Sequence, residues 1–188
     1  MYRDGGYQNL LVYQLATTIF DLTAIFCEKY IDKRSRTHDQ MIQAARSGKQ
    51  NIAEGSLEKS LKGYIKLIGV SRGSFGELLE DFKDFLRQKG LLIWSKDDPR
   101  VVEIRAIRES PNLANLANWA NSPYGKYLDK PEDFANLMIV LIYKENYLLD
   151  QLSRSLENKF VNEGGYTENL FKKRLEQRNA DGKMRNLN

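Results

Sequence analysis

Residues Gln40–Asp81 read QMIQAARSGKQNIAEGSLEKSLKGYIKLIGVSRGSFGELLED, and this stretch decides the fold. It holds two helical repeats joined by a short polar break. From about Asp39 to Glu54, Met41, Ala45, Gly48 and Ile52 recur at steps of three and four, which sets them on one narrow face. Those residues are mostly small and let a neighbouring helix approach closely. Thr37 or Asp39 is placed to cap the start, and Gly55 to stand just past the end. The next repeat opens near Glu58 or Ser60. Tyr64, Ile68, Ser71, Phe75, Leu78, Phe82 and Phe85 then alternate steps of four and three without a slip, the spacing of helix-on-helix packing. Leu67, Leu79 and Leu86 flank that seam. Arg87, Lys89 and Gly90 make a helix stop signal.

The glycines of the second repeat are in the wrong place for a solvated helix. At 100° per residue, Gly69, Gly73 and Gly76 fall opposite the seam, beside Glu77, Glu80 and Asp84. Glycine is worse than alanine inside a helix by about 1 kcal/mol, so three on an open face would cost about 3 kcal/mol. Either they are neutral drift on a solvated face, or a close-packed second helix explains them, from elsewhere in the chain or from a second subunit. Arg46 lies outward of its own stripe, one turn from Gln50 and two from Glu54. An exposed arginine there is ordinarily a solvated side chain. Buried at a subunit contact it needs a carboxylate, for which Glu54 and Glu77 are the candidates.

Outward from this pair, Val12, Ala16, Ile19, Thr23, Phe26 and Tyr30 place a helix over about residues 8–31, widened by Leu15 and Leu22. Residues 91–130 differ. Asp98 and Pro99 open a short helix over Val101 to Ile107, and Asn112 to Asn121 reads as a second one, so the stretch is a helical insertion. Pro131 to about Lys159 is a long helix with Phe134, Met138, Leu141, Leu148, Leu152 and Leu156 at core positions. Its first half is apolar nearly all round and so calls for cover on every side. Four long amphipathic helices without a strand signal predict an all-α, up-and-down antiparallel four-helix bundle over residues 1–160, with the 91–130 insertion between helices three and four. Residues 161–188 read as a basic tail, with no fixed structure expected for the last ten.

Hydrophobic content of 41% and charged content of 29% place the chain among globular domains rather than disordered ones. No uninterrupted apolar run reaches the roughly 20 residues of a membrane span, and the first residues lack a secretory pattern, so no membrane partner is expected. A single cysteine, Cys27, leaves no internal disulfide and fits a reducing cytoplasm. Inside the first helix beside Phe26, it reads as a small buried hydrophobe.

Catalytic chemistry is thin. With His38 as the sole histidine, neither a zinc set nor a ferritin-like di-iron set has its ligands. GVSRGSFGE follows no strand and sits mid-helix, so it is not a phosphate cradle. Ser71 and Ser74 have no base nearby in sequence and read as packing residues. No enzyme activity and no cofactor are expected.

Charge is more informative. The net charge is +4, but residues 29–66 carry +5 and residues 159–188 carry +3, so the remainder is acidic. Lys33, Arg34, Arg36, Arg46, Lys49, Lys59, Lys62 and Lys66 are the candidate contacts to the phosphate backbone of RNA or DNA. No motif for reading bases accompanies them. The alternative is a protein-interaction or scaffold module without nucleic acid.

AARS at Ala44–Ser47, NIAEG at Asn51–Gly55 and YIKLIGVSRGSFGELLED at Tyr64–Asp81 resemble the four helix bundle protein family. That family includes the proteins encoded in intervening sequences of bacterial 23S ribosomal RNA genes and the accessory variability determinant of diversity-generating retroelements. YQNLLVYQLA at Tyr7–Ala16 is similar to the family's first helix. The resemblance covers residues 7–90 closely and 131–157 by pattern, and it makes the chain a longer variant with a C-terminal suffix. It implies a homo-oligomer, a pentamer of bundles. In the retroelement members it also implies nucleic-acid binding and a reverse transcriptase partner. By resemblance Arg46, Asn51, Glu54, Gly55, Ser71, Gly73, Ser74 and Glu77 occupy motif positions, structural and interfacial in role.

Overall fold

The amphipathic repeats form helices in the computed structural model, which describes residues 6–110 and 118–185. After a 3₁₀ turn at Tyr7–Asn9 come α1 (Leu11–Tyr30), α2 (Arg36–Leu57), α3 (Leu61–Lys89), α4 (Pro99–Ala106), α5 (Pro131–Glu163) and α6 (Tyr166–Arg185). The described residues contain no strand, so the molecule is all-helical.

Each boundary has a local chemical cause. The Ser35 hydroxyl accepts from the Thr37 N–H at the start of α2, so neither Thr37 nor Asp39 is the cap. Ser60 accepts from the Gly63 N–H at the start of α3. Asp98 accepts from the Arg100 N–H at the start of α4, with Pro99 at the first helical position, where its missing N–H is harmless. α3 ends at Gly90, whose φ of 66° lies in the left-handed region that glycine tolerates.

α1 packs on α2, α2 on α3, α3 on α5 and α5 back on α1. Phe26 is the hub of the core, with ring centroids 4.9 Å from Phe82 and Phe85 and 5.3 Å from Phe134. Leu15, Ile19, Leu22, Met41, Ile52 and Leu78 are fully buried along the length of the core, each contributing about 1.5–3 kcal/mol. By length and composition α1 is the one described helix apolar enough to cross a membrane. Here Val12, Leu15, Ala16, Ile19, Leu22 and Phe26 are buried in the core, while Leu11 is exposed.

The α2–α3 seam is the closest approach. A β-carbon on Gly48 would stand 2.6 Å from the Phe75 ring, and one on Gly55 would stand 2.7 Å from Tyr64. Gly55 is therefore not a residue beyond the helix end. It is buried inside α2, which runs on to Leu57, because Tyr64 needs the space. The Ser71 hydroxyl donates to the Gly48 carbonyl at 2.8 Å within the same seam.

The insertion covers the outer side of α5, which explains why Phe134–Ile142 is buried without a break. Asn136 accepts from the Trp94 N–H at 2.8 Å and donates to the Leu92 carbonyl at 2.8 Å. Val101 and Ile104 of α4 are buried. The Arg100 guanidinium lies 3.7 Å over the Trp94 ring and pairs with Asp98 and Asp133. Near the far end of the insertion the Tyr30 hydroxyl donates to the Asp129 carbonyl, and Lys29 to that of Leu128. The second short helix expected over 112–121 falls largely outside the described residues; its described end is a 3₁₀ turn at Trp119–Asn121.

α5 continues to Glu163 and breaks at Gly164, which has φ 77° and ψ 174°. The Gly165 N–H then bonds to Glu168, and α6 begins. α6 reaches Arg185, into the stretch where composition predicts no fixed structure.

Candidate nucleic-acid interface

The eight candidate cations do not form one patch. α2 has 22 residues, so its ends are about 33 Å apart. Lys33, Arg34 and Arg36 lie at one end, and Lys59, Lys62 and Lys66 lie across the α2–α3 turn at the other. Several of the eight are already occupied. Lys33 pairs with Glu28 at 2.6 Å. Lys49 sits 4.5 Å over the Phe20 ring, beside Asp21, whose carboxyl is raised by burial and pulled back by that lysine.

Arg36 faces the wrong sign of charge. It lines an open groove of about 770 Å³ between α2 and α3 with Asp39, Glu77 and Asp81. Burial first, and then Asp84 and Glu77, hold the Asp81 carboxyl above its usual range. Such a groove repels phosphate. Lys59, Lys62 and Lys66 are different: all three are exposed, and none forms an ion pair among the described residues. Lys62 and Lys66, four apart, stand on the same side of α3. Arg34, at the far end of α2, and Arg46, in its middle, are also exposed and form no ion pair among the described residues, so the three lysines are the available cations that lie together.

The motif residues also divide. Asn51, Gly55, Ser71 and Ser74 belong to the α2–α3 seam of a single chain. Asn51 donates to the Ser47 carbonyl at 2.8 Å, and the Ser74 and Ser47 hydroxyls are 3.1 Å apart. Arg46, Glu54 and Glu77 are exposed, without an ion pair among the described residues. A β-carbon on Gly69 or Gly73 would meet nothing within 4 Å, and one on Gly76 only the tip of Arg72 at 4.0 Å. The described part of the insertion therefore does not cover the glycine face. It lies on α5 instead, drawn there by the all-round apolar residues 134–142.

His38 is less exposed than its place near a helix start suggests, with a side chain 16% accessible and Nδ1 3.4 Å from Asp39. Cys27 is buried against Met41. The described residues bring no three His, Cys, Asp or Glu side chains together for a metal ion.

A second polar cluster has no counterpart in the sequence reading. Glu145 is fully buried, and neither of its oxygens has a hydrogen-bond partner among the described residues. Burial, reinforced by the Glu109 charge and opposed by Lys144, holds its carboxyl well above the usual range. Glu109 accepts from the Tyr124 hydroxyl at 2.7 Å and from Lys144 at 3.3 Å, while Lys144 also donates to the Ile107 carbonyl at 2.6 Å. The signal was present in the spacing: Phe134, Met138 and Leu141 step next to Glu145 before Leu148 and Leu152.

Comparison of the chain with family models, with curated proteins and with solved structures returns no match.

Proposed function

We propose that the protein is a non-enzymatic, self-assembling four-helix bundle, α1, α2, α3 and α5 running up and down around one core. The observation that carries the assembly is the bare glycine face of α3. Gly69 and Gly73 lack any neighbour, although glycine weakens a helix by about 1 kcal/mol at each position. A helix of a second copy gives that face a reason. The charges fit as well: exposed Arg46 lies on one helix, and the acidic groove of Asp39, Glu77 and Asp81 runs beside it. Arg46 of one copy entering the groove of the next is a head-to-tail contact, which closes into a ring when the rotation allows. A homo-oligomer, pentameric as the family resemblance implies, follows from this reading.

Light scattering of the whole chain tests it. The wild type is expected to be a defined multimer, and Gly73→Leu a monomer with unchanged helix content by circular dichroism. A monomeric wild type, or a Gly73→Leu protein of the same size as wild type, refutes the proposal.

A second function rests on Lys59, Lys62 and Lys66. Three unpaired lysines bind a nucleic-acid backbone weakly in one subunit, but an assembly repeats them and multivalency adds the contacts. In this reading the protein is an accessory that holds RNA or DNA by its phosphates, the role in which a reverse transcriptase is a fitting partner. Without that binding, the same assembly is a scaffold for other proteins. Gel-shift titration with single- and double-stranded probes at low and high salt separates the two: salt-sensitive binding supports the accessory, and no binding leaves the scaffold.

A further inference from the structure

We propose that the insertion is a proton-controlled strap: ionisation of Glu145 draws Lys144 away from Ile107 and Glu109 and frees the part of the insertion around Glu109 from α5. The geometry is a contest for one cation. Lys144 spans from α5 to the insertion, donating to the Ile107 carbonyl at 2.6 Å and to Glu109 at 3.3 Å. Its neighbour in sequence, Glu145, is fully buried with both oxygens unbonded. While Glu145 carries its proton, the apolar surroundings tolerate it and Lys144 is free to hold the strap. A carboxylate there is fully buried without a protein donor among the described residues, so it must acquire a cation or leave the core.

The other charged groups around α5 do not compete. On α3, Arg72 is paired with Asp150 at 3.2 Å, and Lys83 with Glu80 at 2.8 Å. Arg105 donates to the Lys96 carbonyl, and Glu103 pairs with Lys126. Arg108 is exposed at the rim of the groove that Glu109 and Lys144 line. α1 brings the buried Gln14 and Thr18, which do not titrate. Glu109 and Lys144 are the charges that act on Glu145. Loss of Lys144 leaves Glu109 with the Tyr124 hydroxyl as its one partner, and its other oxygen already has none. The second fastening, Asn136 to Leu92 and Trp94, contains no titrating group, so among the described residues release is confined to those around Glu109 and around Tyr124.

Hydrogen exchange read by mass spectrometry tests this, from about pH 5 to about pH 9 and corrected for the intrinsic rate, because burial moves the Glu145 carboxyl upward. The backbone of residues 118–128 is compared with that of α2 in the same sample. In the wild type, protection of 118–128 is expected to fall at least about tenfold relative to α2 as pH rises. In Glu145→Gln the ratio is expected to stay flat, and in Lys144→Met it is expected to be low at every pH. Lys144→Met keeps Glu145 and changes only the half-buried strap contact, and so decides the question even where Glu145→Gln folds poorly. A flat wild type, the same pH response in Glu145→Gln, or full protection in Lys144→Met overturns the proposal.

Discussion

Gly48 and Phe75 face each other across the α2–α3 seam with no room for one more carbon: a β-carbon on Gly48 would lie 2.6 Å from the ring. The Ser71 hydroxyl, bonded to the Gly48 carbonyl, holds the two helices at that distance. Gly48→Ala should therefore lower stability by about 1–2 kcal/mol, an overpacking penalty only partly offset by better helix propensity. Gly69→Ala, with open space around it, should raise the stability of the single chain by up to about 1 kcal/mol. Urea midpoints at unchanged slope measure both. Changes of the same sign would contradict the seam as described.

Glu145 makes stability depend on pH in a stated direction. Its folded carboxyl is raised above the ordinary value near 4.5, so the folded state holds the proton longer than the unfolded chain does. Stability is full below the unfolded value and declines as pH rises toward the folded one. Glu145→Leu should remove that decline and make the protein more stable by about 1–3 kcal/mol at alkaline pH, since it replaces a desolvated acid by a hydrocarbon side chain of similar size. Thermal melts at acid and alkaline pH read the difference, and a variant no more stable than wild type at alkaline pH would count against it.

The two ends of the basic cluster should behave differently toward nucleic acid. Lys62→Ala and Lys66→Ala should each weaken binding evenly across sequences and reduce the salt slope by about one. Arg36→Ala should leave binding nearly unchanged, because Arg36 lines an acidic groove. Titrations at several salt concentrations distinguish these outcomes. Equal losses from both ends would show that the acidic groove does not keep Arg36 from the backbone.

Cys27 should be inert in the native protein. Burial pushes its thiol up to about 12, with Asp81 adding to the effect, and the side chain has no exposure. The reactive thiolate is therefore scarce at neutral pH. Alkylation followed by mass spectrometry should find Cys27 unmodified until denaturant opens the core. Rapid labelling of the folded chain would show that α1 separates from α2 locally.

What could be read from residues alone followed from which interactions are local. The α3 seam, its stop at Gly90 and the Asp98–Pro99 start depend on spacing and on caps within a few residues, and they lie where the sequence puts them. Gly55 was misjudged because a glycine near a helix end has two uses. Only the ring of Tyr64, nine residues on, selects close packing over termination. The basic cluster looked continuous because a chain is one-dimensional; folding α2 as a straight rod carried Arg36 and Lys59 to opposite ends. Glu145 is legible as a step in the α5 seam, but its burial is not, because a charge rarely occupies such a position. Its link to Glu109 spans a segment whose path no short-range pattern encodes.

The break at Gly164 gives the molecule a pivot. α6 has 20 residues and is about 30 Å long, so each 10° of rotation at its root carries its tip through about 5 Å. The direction of the whole arm is set by one residue in a backbone geometry that side chains resist, latched by the Gly165–Glu168 bond. In the proposed ring of copies each arm would be repeated around the assembly like a spoke. A single substitution at Gly164 would re-aim every spoke at once while leaving the hub intact.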